Sequence, residues 1–371
     1  MRKVGKSQLF SRCLTTLMFA AFGLTATVPT ATAAELPNVP QDLWRWFEIE
    51  VLVFKHSDAD MAIEQFPWQA PSAATGAYEP LVDYYVPDIT AALAGLPRCA
   101  PPPLKPSFAS TDLWCVNTYE LDPLLPQNWQ RRERMLATFS RAPERVIDGS
   151  GGDVTVANQP FIAPAEQLEL TEMRQQIIRR GVGTPLLHMS WYQPVFGLDE
   201  QFKVRLFGGE NYGQRFAPSG YLYSEAMTEP EALPLAERLE RLLTQQQQGQ
   251  LQFNARAEDE PLAPPPLLVR EADAPAVWEL DGTVHIYLVG NYLHIASELE
   301  LREPHSVNWR PAGLDAQAER ALQPRSDGEF LRSFRLEQLR RVISHETHYF
   351  DHPKLGIAVQ IRRTDLSARR Y

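Results

Sequence analysis

Cysteines, long apolar runs and catalytic signatures are all scarce in this chain of 371 residues. Beyond residue 34, no stretch offers the roughly 18 uninterrupted apolar residues that a membrane-spanning helix needs. The sequence also has no Gly-x-Ser-x-Gly nucleophile elbow and no glycine-rich phosphate loop. These absences argue against a membrane protein and against the common nucleophilic and nucleotide-binding enzymes, and they predict no cofactor.

The chain has only three cysteines, and Cys13 lies in its amino-terminal leader. The remaining two, Cys99 and Cys115, form an even pair, which in an exported protein predicts one disulfide. Such a bridge would close a proline-rich loop and stabilise the fold by roughly 3 kcal/mol if the entropy of the unfolded chain dominates. Two buried free thiols are the alternative.

Residues 1–34 have the three-part layout of a secretory signal peptide. A basic start is followed by an apolar run from Leu14 to Val28 and then by small residues. We expect cleavage near Ala33 or Ala34, which would release the protein without a membrane anchor. A retained anchor is the competing interpretation, but four threonines and Gly23 interrupt the apolar run.

Acidic residues outnumber basic ones by 46 to 36 in the full chain. The leader contains four basic and no acidic residues, so its removal leaves 46 against 32 and a net charge of −14. A chain this acidic binds nucleic acid or anionic lipid poorly. We therefore expect no nucleic-acid partner.

The regular pattern begins at residues 46–54, where apolar residues alternate with Glu48 and Glu50. This alternation predicts a strand. Apolar spacing predicts helices over 165–180, ended by Gly181, and over 231–246. With a predicted strand over 185–193, the first half contains a strand-helix-strand unit with a large insertion.

The second half is dominated by short alternating segments. They predict strands over 277–280, 283–289, 292–301, 330–336, 345–350 and 356–362. Asp281-Gly282 predicts a hairpin turn between the first two. The predicted fold class is α+β, with a mixed, largely antiparallel sheet, a few packing helices and long proline-rich loops.

The same patterns suggest a division of the chain into regions. We predict an α+β region with long insertions over 44–250, a proline-rich linker over 251–275 and a β-rich region over 276–371. The two flanking regions either share one sheet or form separate ones.

Five potential metal ligands crowd into eight residues near the end of the chain: His345, Glu346, His348, Asp351 and His352. The second histidine comes one position too early for the His-Glu-x-x-His motif of zinc proteases. A polar surface or turn is therefore favoured, and no metal is predicted. An exported wall hydrolase, metal-assisted through His345, His348 and His352, is the alternative.

Two acidic pairs, Glu48 with Glu50 and Glu298 with Glu300, resemble the carboxylates that flank a glycosidic bond in glycosidases. Neighbours two apart on one strand are common on solvated faces, which is the interpretation we favour. Hence no catalytic residue is predicted.

Aromatic rings stack on sugars, while charged side chains bind hydroxyl and carboxylate groups. The candidates for ligand binding by this chemistry are Tyr292, His294, Arg340, Arg341, His348, Tyr349, Asp351 and His352, with Tyr287 beside them. The alternative is that the rings fill the core of the sheet and the arginines face solvent.

Five sequence blocks, in this order, resemble the CsiV family of gammaproteobacterial periplasmic proteins. They are residues 46–54, 186–194, 292–295 with Leu299, 340–341 and 348–356. The resemblance implies a periplasmic, non-enzymatic protein that binds peptidoglycan. It also implies support of cell-wall synthesis together with the outer-membrane lipoprotein LpoA, the activator of a bifunctional penicillin-binding synthase.

Overall fold

Strands supply most of the regular structure in the computed structural model. It describes residues 36–57, 66–86, 135–146, 149, 151–223, 234–249, 268–272, 274–307, 309, 313–314, 317–318 and 328–368. The predicted leader and the predicted disulfide between Cys99 and Cys115 lie outside these residues, as does most of the predicted linker. No helix among the described residues is long and apolar enough to cross a membrane.

Nine strands are present in the described chain. They are β1 Arg45–His56, β2 Phe161–Ile162, β3 Gly183–Gly197, β4 Lys203–Asn211, β5 Trp278–Val289, β6 Tyr292–Val307, β7 Gly328–Val342, β8 Thr347–Asp351 and β9 Leu355–Arg363. The helices are α1 Pro80–Tyr85, α2 Thr171–Arg180 and α3 Leu235–Gln247, with 3-10 turns at Gln41–Leu43, Ala165–Gln167 and Tyr212–Gln214. The predicted mixed sheet with few helices is confirmed, and the described chain is mostly β.

All nine strands belong to one sheet, whose main path runs β7-β6-β5-β3-β1-β9-β8. Strand β2 pairs with β3, and β4 pairs with β5. The single parallel pairing among them joins the end of β3 to the end of β5, where Phe196 lies opposite Tyr287. Strands from both sides of the predicted linker thus lie in the same sheet.

The sheet curls so that its two terminal strands approach each other. From β7, the side chains of Gln338 and Arg340 donate hydrogen bonds to the Asp351 and Tyr349 carbonyl oxygens of β8, at 2.8 and 3.0 Å. These contacts occupy two backbone carbonyl oxygens at the edge of β8, which would otherwise be open to pairing with another chain.

The concave side encloses the main core. From β1 this core receives Phe47, Ile49, Val51 and Val53, which confirms the face predicted from their alternation. Trp191 and Trp278 are among its largest fully buried side chains. On the other side of β1, Leu52 and Phe54 pack against α2.

The helix predicted over 165–180 is shorter than expected. Residues 165–167 form a 3-10 turn, Leu168 is extended, and the α-helix begins at Thr171. The backbone N–H groups of Glu169 and Leu170 instead donate to the buried Glu50 carboxylate, at 2.9 and 2.8 Å. The predicted end is confirmed, because Gly181 caps the helix with a φ of +65°.

The hairpin predicted at Asp281-Gly282 is wrong. Both residues lie inside β5, and the chain turns instead at Gly290, between Val289 and Tyr292. Gly282 allows β5 and β6 to lie close together, because a Cβ there would lie 2.2 Å from the Glu298 carbonyl oxygen. The strand predicted over 345–350 is also shifted, since β8 spans Thr347–Asp351 and His345 lies in the preceding turn with a φ of +67°.

Candidate functional site

One side of strands β4 to β7 carries polar and aromatic residues and is here called the polar face. Every second residue of a strand points to the same side of a sheet, so the pairing register identifies the members of this face. They are Lys203 and Arg205 of β4, Asp281, Thr283, His285 and Tyr287 of β5, Tyr292, His294, Glu298, Glu300 and Arg302 of β6, and Arg335, Glu337 and Arg341 of β7.

The floor of the polar face is a buried ionic network centred on Asp281. The Arg205 guanidinium binds both Asp281 oxygens, at 2.8 and 3.0 Å, and Arg302 binds one of them at 3.1 Å. Burial alone would raise the pKa of Asp281, but the charges of Arg205 and Arg302 lower it below its ordinary value. The carboxylate therefore stays ionised and holds the two guanidinium groups in place.

Glu300 connects this floor to a segment that crosses the face. Its carboxylate accepts hydrogen bonds from the Ser72 backbone N–H at 2.9 Å and from Arg335 Nε at 2.9 Å. The Ser72 hydroxyl also donates to Glu300, and Arg302 donates to the Ser72 carbonyl oxygen at 2.7 Å. The buried ions thus fix the position of residues 72–75 over the sheet.

A cavity of about 220 Å³ lies between residues 72–75 and the polar face. Its deep wall contains Asp281, Thr283 and Glu300, which are at most 6% exposed. Its rim carries Lys203, Glu298, Arg335 and Glu337. Buried ions hold the wall in place, while ionised groups of both signs remain accessible at the mouth.

An aromatic row lies on the same face, further along the strands. The ring of Tyr287 lies 4.9 Å from His285 and 5.3 Å from His294, and it stacks on His294 at an interplanar angle of 13°. Tyr292 is 55% exposed, with the Arg341 guanidinium 4.0 Å from its ring centroid. The row therefore runs from buried rings to an exposed Tyr-Arg pair.

His285 is the buried end of this row. Burial, together with the positive charge of Lys203, lowers the pKa of its imidazole. Its Nε2 atom has no hydrogen-bond partner among the described residues. The imidazole is therefore neutral at neutral pH, and it contributes a ring rather than a charge to the face.

The predicted ligand-binding residues fall into two groups in the structure. Tyr292, His294 and Arg341 lie together on the polar face, where His294 is the direct cross-strand neighbour of Arg341. The other five, Arg340, His348, Tyr349, Asp351 and His352, lie around β8 and the end of β7. Arg340 and Arg341 are neighbours on β7, but their side chains point to opposite sides of the sheet, which separates the two groups.

The side chains around β8 are largely occupied by contacts within the chain. Arg340 donates to the Tyr349 carbonyl oxygen, and the Tyr349 hydroxyl donates to Asp351 at 3.0 Å. His348 Nε2 lies 3.0 Å from the Ile343 backbone nitrogen, and His352 Nδ1 accepts from the Lys354 backbone N–H at 3.1 Å. Most of these polar groups thus serve the terminal hairpin, although Tyr349 is 42% exposed.

The histidines near the end of the chain do not converge on a metal site. His345 lies in the turn before β8, His348 contacts the Ile343 backbone, and His352 packs on the Phe66 ring at 5.1 Å. Among the described residues, no three His, Cys, Asp or Glu side chains are placed to hold a metal ion. The alternative of a metal-assisted hydrolase therefore finds no metal centre in this part of the chain.

The solvated face predicted for Glu48 and Glu50 is wrong. Glu50 is fully buried and Glu48 is 8% exposed, because the segment before α2 covers them. Arg362 binds Glu50 at 2.7 Å and also binds Glu48, while His188 Nε2 lies 2.8 Å from Glu50. The pair is a structural ionic network without access to a sugar.

This network explains the ionisation of its members. Burial alone would raise the pKa of Glu50, but hydrogen bonds from His188, Arg362 and the Leu170 and Glu169 backbone N–H groups lower it. Burial alone would lower the pKa of Arg362, yet Glu48 and Glu50 raise it. The Glu50 carboxylate and the Arg362 guanidinium are thus held as ions.

Most of the cavity residues were not predicted as a site. The missed residues include Lys203, Asp281, Arg335 and Glu337 of the cavity, and Arg205 and Arg302 of the ionic network beneath it. One signal was present: residues 298–302 alternate polar and apolar side chains, which places Glu298, Glu300 and Arg302 on one side of a strand. Their cross-strand partners and the covering segment depend on pairings between distant parts of the sequence.

Comparison with known proteins gives one informative result. The family model described as the peptidoglycan-binding protein CsiV matches residues 13–364, which is nearly the whole chain. Comparisons with curated proteins and with solved structures give no match. The chain therefore belongs to the CsiV family of peptidoglycan-binding proteins.

Proposed function

We propose that this protein binds peptidoglycan through the polar face and supports wall synthesis without catalysing a reaction itself. The observation that carries the proposal is the combination, on one face, of an exposed Tyr-Arg pair with a charged cavity. Peptidoglycan consists of sugars, which stack on aromatic rings, and of short peptides, which carry charged groups. Membership of a peptidoglycan-binding family suggests a location outside the cytoplasm, in keeping with the export signal proposed for residues 1–34.

The distance between the two parts of the face suits this ligand. His294 and Glu298 are four positions apart on β6, which corresponds to roughly 13 Å along a strand. A glycan segment at the aromatic end could therefore direct an attached peptide towards the cavity. The five candidate residues around β8 are proposed as a second, less accessible surface.

The first prediction concerns sedimentation of the exported protein with purified sacculi. Replacing Tyr292 with alanine together with Arg341 with glutamine should weaken binding about tenfold, since exposed aromatic and arginine anchors dominate such surfaces. Sedimentation over a range of sacculus concentrations measures the change, and circular dichroism checks the fold. No soluble fragments should be released during the incubation, because the protein is proposed to be non-enzymatic.

A matched pair of substitutions exists in the other group of candidates. Tyr349→Ala with Arg340→Gln removes the same residue types from β8 and the end of β7. This variant should retain most of its sacculus binding. If it loses binding while the Tyr292/Arg341 variant keeps it, the wall contacts β8 instead. Release of fragments would identify an enzyme.

The resemblance further implies a protein partner, and we include LpoA and its synthase in the proposal. The prediction is that the exported protein retains purified LpoA on an affinity column in the absence of wall material. Failure to retain LpoA, with sacculus binding intact, would restrict the function to wall binding.

A further inference from the structure

We propose that the cavity under residues 72–75 binds the zwitterionic end of a wall stem peptide, with an ammonium group held between Glu298 and Glu337. This inference rests on the proposed function and deepens it, because it assigns one chemical part of the wall to one part of the polar face.

Two carboxylates face each other at the rim without a full complement of cations. Glu298 and Glu337 are direct cross-strand neighbours on β6 and β7, an arrangement in which like charges destabilise the pairing. Lys203 Nζ lies 2.9 Å from Glu298 and neutralises that carboxylate. Glu337 has no ion-pair partner among the described residues. A bound ammonium group between the two would remove the repulsion that the free protein bears.

A cation suited to a ligand carboxylate lies beside them. Arg335 donates through Nε to Glu300 at 2.9 Å, and its Nη groups have no partner in the described part of the chain. Its side chain is 37% exposed, and it contributes to the cavity lining. Guanidinium groups bind carboxylates through paired hydrogen bonds. The cavity thus offers an acceptor for an amine and a donor for a carboxylate at adjacent positions.

The size of the cavity favours a peptide end over a sugar chain. Its volume of about 220 Å³ is below the roughly 300–1,000 Å³ typical of drug-sized ligand pockets. One amino-acid residue with a polar end matches this volume better than a disaccharide. Diamino-dicarboxylic residues, which occur in the stem peptides of many bacterial walls, carry an amine and a carboxylate at the end of one side chain.

The cavity floor is also prepared for such a ligand. Asp281, Glu300, Arg205 and Arg302 are already paired with one another, and Arg205 also pairs with Glu79 and Glu300 with Arg335. The ligand therefore need not displace a buried ion pair. It meets groups that are accessible before binding, which reduces the cost of reorganisation.

Calorimetric titration tests the assignment with a defined probe. The probe is the tripeptide L-alanyl-γ-D-glutamyl-meso-diaminopimelate, and a second sample carries an acetyl group on the side-chain amine. The exported protein should bind the free tripeptide, and acetylation should weaken binding about tenfold or more, because a hydrogen bond to a charged group is lost. Equal binding of both peptides would overturn the proposal.

The protein side of the contact is tested with Glu337→Gln, which keeps the shape of the side chain and removes its charge. Binding of the free tripeptide should weaken about tenfold, while the acetylated peptide should bind the variant and the parent protein alike. Glu346→Gln is the matched control, since Glu346 is also exposed but lies in the turn before β8. Unchanged tripeptide affinity in Glu337→Gln would contradict the assignment.

Sacculus sedimentation, run in parallel, separates this inference from the proposed function. Sedimentation without any affinity for the tripeptide rejects the cavity assignment and leaves the wall-binding proposal standing. Failure of both measurements rejects both. Tripeptide affinity that depends on Glu337 and on the free amine, in a protein that sediments with sacculi, supports both.

Discussion

Replacing Arg362 with methionine should lower the free energy of unfolding by about 3–5 kcal/mol, because it leaves Glu48 and Glu50 buried without their cation. Arg362 bonds to both carboxylates and also donates to the Gln167 carbonyl oxygen at 2.9 Å. The network therefore joins β1 and β9 to the segment that precedes α2. Urea unfolding followed by tryptophan fluorescence measures the effect, since Trp46 and Trp191 are buried nearby in the same sheet.

Arg363→Met is the matched control, because Arg363 is the next residue along β9 and is exposed. Its replacement should change the free energy of unfolding by less than about 1 kcal/mol. Adding Glu48→Gln and Glu50→Gln to Arg362→Met should recover part of the loss, since no uncompensated charge then remains. A loss in Arg363→Met as large as in Arg362→Met would contradict the role given to the network.

The same network predicts how the loss of unfolding free energy in Arg362→Met changes with pH. The pKa of Glu50 is lowered on folding, so its contribution to stability is present above its ordinary pKa of 4.5 and is lost as the pH falls below it. The difference between Arg362→Met and the parent protein should therefore shrink as the pH is lowered from 7 towards 4. Unfolding curves at the two pH values measure it, and a difference that grows in acid would contradict the assignment.

The contrast between the two faces of β1 shows what local pattern can predict. Alternation correctly placed Phe47, Ile49, Val51 and Val53 together on a core face. The opposite face was predicted to be solvated, because glutamates two apart usually are. The cation that binds the buried Glu50 is Arg362, which lies 312 positions later, and no local pattern carries that information.

The candidate site shows the same difference between what the local sequence predicts and what pairing between distant strands decides. The aromatic and basic residues Tyr292, His294 and Arg341 were recognised by residue type, and two of them are cross-strand neighbours. The cavity was missed, because it forms where β4, β5, β6 and β7 align and residues 72–75 cross above them. Residue chemistry identified candidates, whereas strand pairing decided which of them share a surface.

Turn prediction failed at Asp281-Gly282 for a related reason. An Asp-Gly pair between apolar residues is a strong local signal for a hairpin. Here both residues make contacts with distant parts of the chain instead. Asp281 binds two guanidinium groups, and Gly282 permits the close approach of β6. The actual turn uses Gly290, whose φ is +63°.

Replacing Gly282 with alanine should therefore lower the free energy of unfolding by about 3–5 kcal/mol, with backbone strain and overpacking acting together. The residue has a φ of +148°, which L side chains rarely adopt. Its new Cβ would lie 2.2 Å from the Glu298 carbonyl oxygen and 2.7 Å from the Leu299 Cα. Both neighbours are backbone atoms of β6, so relief requires the strands to move apart. Chemical unfolding measures this loss.

Gly290→Ala separates the clash from the strain. Gly290 also has a positive φ, but a Cβ there would meet no atom within 4 Å. Its substitution should cost only about 1–2 kcal/mol, which is the penalty for a left-handed L residue. Because Gly282 lies between Asp281 and Thr283 in the cavity wall, Gly282→Ala should also weaken tripeptide binding, whereas Gly290→Ala should not. Equal losses of stability in the two variants would show that strand contact at Gly282 has no energetic role.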